Sequence, residues 1–406
     1  MKLLILTQYF PPEIGAPQNR LFELALRIQK EGIEVNALTA MPNYPHMVVH
    51  KDYKGTFSSS EMMQGIKVHR RWIYVSKKTG IIHRLLNYFS FVFTSLFAGI
   101  FSVKKHDLIL CESPPLFLGI SAYIICKIRG SKLIFNVSDL WPESAEKLGI
   151  VTNKSMLALA TTLEEFLYKS SVLVTGQTQG IVQDISSRFP NKKVYWLPNG
   201  VDLTLFSPDE VQSDFREKHD FSNSDLLFFY AGILGIAQGL DVIVDAAKRI
   251  ADKNVKIVFL GEGPEKKRLK KRVESESISN VFFIDAITKA EMPAFVKAMD
   301  VSIIPLRRLD LFKGAIPSKI FENLAMKKPI LLGVEGEAKE LFIEEGKAGM
   351  FFTPENDEEL AKCISEISSA PEIVLDFGEN GRNYVDKKFN RNNIAQAFNE
   401  QLKELG

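Results

Sequence analysis

The sequence predicts an α/β protein of two doubly wound, Rossmann-like domains, and three observations carry that reading. Short apolar or β-branched runs alternate with amphipathic helical segments from end to end, the pattern of parallel sheets with right-handed crossovers. The alternation restarts near Leu226. Between the two runs lies PNGVDLTLFSPDE, whose Pro, Gly and Asp residues break regular structure near residue 200.

In the first half the expected strands are KLLILTQ, EVNALTA, KVHRRWIYV, DLILCES, KLIFNVS, VLVTGQ and KVYWLP, with helices such as RLFELALRIQKEG between most of them. In the second half they are LLFFYAG, KIVFLGEG, VFFIDA, VSIIPL, PILLGV and MFFTP. The last segment, NRNNIAQAFNEQLKELG, is a capped amphipathic helix with no strand after it, able to pack on either domain. The expected division is an N-terminal domain over residues 1–200, a C-terminal domain over 201–386 and a closing helix over 387–406. Ligands of such sheets bind outside the carboxyl ends of the strands, so two facing domains are expected to enclose a cleft.

Composition excludes several function classes. The 406 residues are 46% hydrophobic and 25% charged with a net charge of +2, an ordinary globular balance. A nucleic-acid partner favours a concentrated basic face and is not expected here. Cys111, Cys126 and Cys363 have neither metal-ligand spacing nor a disulfide framework, which points to a reducing compartment. The opening MKLLILTQYFPPE has too short an apolar core for a secretory signal, and Pro-Pro-Glu follows at once. It reads as a buried first strand.

The loop after that strand, YFPPEIGAPQNR, holds only Gly15 where a dinucleotide fold wants G-x-G-x-x-G, so NAD and FAD are disfavoured. Gly15 just before a helix either lets a ligand approach the backbone or is simply a turn glycine. Glu13 and Arg20 flank it, as ligand contacts or as a surface pair. After the fifth strand comes FNVSDLWPESAEKLG. Asp139 at a strand end, with Trp141 and Glu143 close by, suits sugar binding: hydroxyls to the acid, ring face to the indole. Alternatively Asp139 caps a short helix.

In the second half YAGILGIAQGLD supplies Gly235 and Gln238, and FLGEGP supplies Gly261 and Gly263. They converge with PLRRLDLFKGAIPSKIFENLAMKKP, where Arg307, Arg308, Lys313 and Lys319 surround a helix N-terminus. Ser318 is a natural N-cap, Ile320, Phe321 and Leu324 form an apolar stripe, and Pro329 stops the run. Lys319 then stands where the helix dipole disfavours a cation, and it precedes Glu322 at i,i+3, the weaker order for a helical ion pair. A bound diphosphate would offset that clash. Glu322, one turn on, could accept hydrogen bonds from the vicinal hydroxyls of a ribose. The plainer alternative is a solvated Lys-Glu pair.

Residues 77–132 hold the apolar stretch LLNYFSFVFTSLFAGIFSV and eight Lys or Arg against Asp107 and Glu112. Three outcomes are open: a buried crossover helix, a helix lying on an anionic membrane through Phe89, Phe93 and Phe97, or a true span. Spanning conflicts with strands on both sides that belong to one sheet.

Taken in order, YFPPEIGAP…R, SDLWPES, LPNGVD…F.P, YAG…AQGLD, FLGEGP and PSKIFENLAMKKPIL resemble the retaining family-4 glycosyltransferases of the two-Rossmann (GT-B) architecture, over nearly the whole chain. DLWPES and IPSK.FE look most like the bacterial O-antigen and capsule branch that transfers N-acetyl-L-fucosamine. The resemblance implies a UDP-sugar donor on the C-terminal domain, held by Gly15, Gly235, Gln238, Gly261, Gly263, Arg308, Lys319 and Glu322. It implies a lipid-linked saccharide acceptor, of the undecaprenyl-diphosphate type, on the N-terminal domain, met by Glu13, Arg20, Asp139, Trp141 and Glu143. Asp139, Lys319 and Glu322 become the catalytic candidates, with no metal or other cofactor, the final helix crossing back onto the N-terminal domain, and the enzyme on the inner face of the plasma membrane.

Departures from the family pattern accompany it. Gly314 stands where many members carry a paired Glu, Ile233 and Gln238 replace the usual Arg and Lys, and Ser138 replaces a His before Asp139. This fits a retaining reaction in which the departing phosphate takes the acceptor's proton while the protein positions and stabilises charge. A UDP-sugar 2-epimerase on the same architecture and a non-catalytic lipid- or nucleotide-binding protein are the alternatives.

Overall fold

The computed structural model describes residues 1–13, 15–44, 47–78, 80–147, 151 and 153–406. The chain forms two compact units, Met1–Asn199 with Arg391–Gly406, and Gly200–Asn390. The first holds β1 (Lys2–Leu6), β2 (Glu34–Ala40), β3 (Ser58–Met63), β4 (Ile66–Arg71), β5 (Leu108–Ser113), β6 (Lys132–Val137), β7 (Leu173–Gly176) and β8 (Val194–Trp196). They pair in the order β3-β4-β2-β1-β5-β6-β7-β8. Its helices are α1 (Ala16–Lys30), α2 (Ile81–Phe101), α3 (Leu118–Arg129), α4 (Glu143–Lys147), α5 (Lys154–Ser170) and α6 (Gln179–Arg188).

Successive strand residues face opposite sides of a sheet, and here both sides are covered. Leu3 and Ile5 pack with Leu21 and Ala25 of α1, while Leu4 and Leu6 belong to the cluster that holds Phe91 and Ala98 of α2, Ala122 of α3 and Leu167 of α5. One strand departs from the parallel expectation. β3 runs antiparallel to β4, joined at Gln64 and Gly65, whose φ angles of 48° and 87° suit a primed hairpin turn. Its sequence, SSSEMM, lies at the sheet edge and opens on four polar residues with no apolar run.

The second unit pairs β9 (Leu226–Ala231), β10 (Val255–Leu260), β11 (Val281–Ile284), β12 (Val301–Pro305), β13 (Ile330–Gly333) and β14 (Gly349–Phe351) in the order β11-β10-β9-β12-β13-β14. Every neighbouring pair is parallel. Around them lie α7 (Phe215–Lys218), α8 (Asp241–Arg249), α9 (Lys266–Ser275), α10 (Met292–Ala298), α11 (Lys319–Ala325), α12 (Glu337–Lys339), α13 (Asp357–Ser369) and α14 (Glu372–Phe389). Phe228, Ile257 and Phe259 pack against α8 and α13, and on the other face Phe229 meets Phe295 of α10 at 5.5 Å between ring centroids.

The closing helix begins later than the sequence division placed it. Residues 387–389 finish α14, Asn390 turns extended, and α15 (Arg391–Leu405) returns to the first unit. Ala395, Phe398 and Leu402 join the core shared with α1. Arg391 pairs with Glu23, and Arg27 Nε donates to Asn392 Oδ1 at 2.7 Å. Burial, then the charge of Arg20, pushes the Arg391 guanidinium down to about 10. These contacts fasten the return.

Candidate active site

In the second unit the loops that follow β9 and β10 are laced together. Leu234 N–H donates to Glu262 O at 2.8 Å, and Glu265 N–H to Leu234 O at 3.0 Å. Gly261 and Gly263 have φ of 139° and 158°, and a Cβ there would lie 1.9 Å from Gly232 O and 2.3 Å from Leu234 O. Only glycine fits such an approach of backbone to backbone.

Against this floor stands Lys319, the first residue of α11. Its Nζ lies 3.7 Å from the centre of the Tyr230 ring, and a Cβ on Gly232 would be 3.1 Å from it. Tyr230 is fixed by its hydroxyl, which donates to Ile233 O at 2.7 Å. Burial pushes the Lys319 ammonium down from its ordinary 10.5 to about 7, opposed by Glu322. Burial likewise raises the Glu322 carboxyl, opposed by the charges of Lys289 and Lys319. Among the described residues neither the Lys319 ammonium nor the Glu322 carboxylate has a hydrogen-bond or ion-pair partner in the protein. An ammonium and a carboxylate, both half-buried and neither paired within the protein, suit a ligand that brings an anion and a pair of hydroxyls.

The rest of the expected cation cluster is already engaged. Arg308 Nε is 3.8 Å from Glu335 and its backbone N–H donates to Glu355 at 3.0 Å, and Lys313 Nζ is 2.7 Å from Asp310. Arg307 Nε is 3.4 Å from Glu355. Gly235 precedes the 3₁₀ turn Ile236–Gln238 and borders a cavity of about 260 Å³. That cavity sets Asp241, Asp245, Glu265, Glu355 and Asp357 against Arg307, the wrong charge for a diphosphate. Ser318 is not an N-cap: its backbone is helical and its side chain caps nothing. The turn starts earlier, where Ile320 N–H reaches Pro317 O at 3.1 Å, because proline presets the first helical φ.

In the first unit the sheet's carboxyl edge carries a buried polar chain. Arg20 Nη2 donates to Glu112 Oε1 at 2.7 Å and to Ser138 Oγ at 2.6 Å. Glu112 also accepts from Ser138 Oγ and Asn136 Nδ2, and Thr175 Oγ1 donates to Asn136 Oδ1 at 2.6 Å. Arg20 is thus an interior partner of Glu112 and not a surface pair with Glu13. Glu13 turns inward, accepting from the N–H groups of Asn43, Tyr44 and Phe10 at 2.8, 2.9 and 3.2 Å. Burial still raises its carboxyl against those bonds.

Asp139 is exposed just past the end of β6, and its contacts are those of the helix-cap reading. Its carboxyl is raised by the protein packed around it, against hydrogen bonds from Ser144 and Leu140 that lead into α4. Trp141 is half-buried in an aromatic chain, its ring 5.5 Å from Phe117, which lies 4.8 Å from Phe89. Glu143 makes a surface pair with Lys147 at 2.6 Å. Gly15 is the extended residue before α1, where a Cβ would meet Gln18 Oε1 at 2.3 Å.

Glu112, Asn136, Tyr230 and Lys289 were not singled out from the sequence. Glu112 and Asn136 lie near strand ends, in DLILCES and KLIFNVS, which was the one available signal. Among the described residues no group of three or more His, Cys, Asp or Glu side chains is placed to hold a metal ion.

Residues 211–384, most of the second unit, match the family described as Glycosyl transferases group 1. The putative colanic acid biosynthesis glycosyl transferase WcaI of Escherichia coli strain K12 is 23% identical over 98% of each chain. Among solved structures, the sucrose-phosphate synthase of Thermosynechococcus elongatus superposes with a TM-score of 0.74 at 15% identity, covering 100% of this chain and 99% of that one. Anabaena Alr3699/HepE in complex with UDP and glucose gives 0.73 at 17% identity over 100% of each. The fold is that of the GT-B glycosyltransferases. Within that class the matches support the group 1 family, and they do not favour an epimerase.

Proposed function

We propose that this chain is a retaining glycosyltransferase of the family-4 type. It moves N-acetyl-L-fucosamine or a related amino sugar from a UDP-sugar to a lipid-linked saccharide during O-antigen or capsule synthesis. The observation that carries the reading is the half-buried Lys319–Glu322 pair at the carboxyl edge of the second sheet, which has no hydrogen-bond or ion-pair partner among the described residues. Lys319 neutralises the donor diphosphate and Glu322 takes the ribose hydroxyls. HepE was solved with UDP, and the WcaI relative carries the description of a putative colanic acid biosynthesis glycosyl transferase. The DLWPES and IPSK.FE motifs support the amino-sugar branch.

In the reaction the acceptor oxygen bonds to the sugar's anomeric carbon as that carbon's bond to the phosphate breaks. The acceptor proton passes to the departing phosphate. Lys319 offsets the charge that grows on the diphosphate, without a metal ion, and Asp139 orients the acceptor on the first unit.

A thermal-shift panel of UDP-sugars identifies the donor. On the same panel, Glu322→Gln should bind UDP about ten-fold more weakly, as for a lost charge-assisted hydrogen bond, with unchanged or higher apo stability. Normal UDP binding with earlier melting would assign Glu322 to the helix alone.

The acceptor's lipid places the enzyme on an anionic membrane surface, and α2 is the element proposed to dock. It is long and apolar enough to cross a bilayer by composition, yet Phe91, Ser95 and Ala98 are buried in the first unit's core. Its other face leaves Phe93, Phe97 and Phe101 at 58%, 61% and 77% exposure. Exposed Arg84, Lys104, Lys105 and Lys127 lie on α2, just past its end and on α3, each worth about 1 kcal/mol at an anionic surface. Phe89 leaves the expected set because it packs on Phe117. Liposome flotation should require anionic lipid, weaken at high salt and drop in Phe93→Ser/Phe97→Ser/Phe101→Ser, with melting unchanged. If those serines instead unfold the protein, the face belongs to the core.

A further inference from the structure

A second cavity lies in the first unit, at the same carboxyl edge of the sheet. It encloses about 540 Å³ between the segment after β2 and the segment after β4, which contribute Met41 and Trp72. Its wall is apolar and adaptable, with Met41, Met47 and Val48 facing Phe57 and Trp72, whose rings stack 12° from parallel at 6.2 Å. Val48, Phe57 and Trp72 keep 48%, 64% and 40% of their surface exposed. Apolar surface of that kind in a folded protein marks a binding site. Lys54 and Lys77 also line it.

The polar inventory decides what fits. A saccharide site needs carboxylates and amides to take pairs of hydroxyls, and among the described residues no Asp, Glu, Asn, Gln or His lines this cavity. Methionine-rich walls suit irregular aliphatic chains. Two lysines with no acid among the described lining residues suit an anionic group at the end of such a chain.

The cavity is also tied to the docking helix. Thr94 Oγ1 of α2 donates to Trp72 O at 2.8 Å, and Tyr74 N–H donates to Ser90 Oγ of α2 at 2.8 Å. Trp72 therefore sits beside Thr94, one residue from the exposed Phe93. A chain rising from a lipid surface along α2 would meet the cavity next.

We propose that this cavity binds the lipid diphosphate of the acceptor, the first isoprenyl units against Met47, Phe57 and Trp72 and the diphosphate between Lys54 and Lys77. The proposal rests on the lipid-linked acceptor reading above and assigns its non-sugar part to a place. It separates recognition of the lipid from recognition of the sugar at Asp139.

Calorimetric titration with farnesyl diphosphate, below its micellar range, tests it. Wild-type protein should bind farnesyl diphosphate at least ten-fold more tightly than inorganic diphosphate or farnesol. Phe57→Ala/Trp72→Ala and Lys54→Ala/Lys77→Ala should each weaken it ten-fold or more, and the lysine variant should lose the salt dependence. These side chains are exposed, so melting should be unchanged. Equal affinity in wild type and both variants overturns the proposal, as does loss in Phe93→Ser/Phe97→Ser instead. UDP affinity, read on the same samples, tests the transferase reading separately: that reading fails if wild type does not bind UDP, and no cavity variant should alter it.

Discussion

Arg20→Met should cost the first unit about 3–5 kcal/mol, because it strands the Glu112 carboxylate in the interior. The two side chains keep 7% and 4% of their surface, so solvent cannot compensate the lost ion pair. Ser138 and Asn136 continue to donate to Glu112, which places the loss at the lower end of that range. Arg20→Met/Glu112→Gln should recover much of it, since no charge is then left unpaired. Thermal unfolding of the two variants makes the measurement. A loss under 1 kcal/mol in the single variant, the size seen for surface pairs, would mean the network is not a structural anchor. UDP affinity should stay unchanged in both, because Lys319 and Glu322 lie on the other unit.

Lys319→Met carries the largest expected effect on binding. UDP affinity should fall by about 1.5–3 kcal/mol, ten- to a hundred-fold, through loss of a charged hydrogen-bond donor to the diphosphate. Free protein should gain stability. With Lys319 near 7 in the folded state against its ordinary 10.5, the unfolded chain binds more protons between those values. Stability of the free protein therefore rises with pH across that window, and the methionine variant should lose the slope. At neutral pH each kcal/mol regained should raise the melting temperature by about 2–4 °C. Ligand binding has the opposite sign: a diphosphate favours the charged ammonium, so UDP binding at pH 8 should take up protons and weaken as pH rises further. Calorimetry in two buffers of different ionisation enthalpy reads that uptake. Proton uptake in the methionine variant equal to wild type would assign it to another group.

The strands were legible because most parallel strands buried on both faces leave apolar runs, and thirteen of the fourteen strands among the described residues overlap segments named from the sequence, β4 (IKVHRR) among them despite its basic residues. β3 escaped because an exposed edge strand needs no such run. Lys319 was legible for the reverse reason. It breaks a local electrostatic rule, and such breaks concentrate where a ligand supplies the missing partner. Arg308 and Lys313 obeyed no rule that could separate them from Lys319; the carboxylates of Glu335, Glu355 and Asp310 that occupy this cation group appear only once the chain is folded. Glu112 likewise became a site residue only when Arg20, 92 positions away, folded onto it.

Within α2 the run is too uniformly apolar for its 3.6-residue period to tell faces apart. Phe89 and Phe93 could not be sorted until Phe117 and the core claimed one of them. Trp141 and Glu143 show the same limit: a motif placed them together, while packing gave one an aromatic partner and the other a solvated lysine.

The most direct test of the central claim is proton NMR of a UDP-sugar panel incubated with the protein alone, with and without EDTA, beside Lys319→Met. One UDP-sugar should slowly release UDP and free sugar with its C2 configuration intact, at the same rate in EDTA, and at least ten-fold more slowly in the variant. Inversion at C2 in place of UDP release, or release unchanged by Lys319→Met, would contradict a glycosyl transfer centred on Lys319 and Glu322.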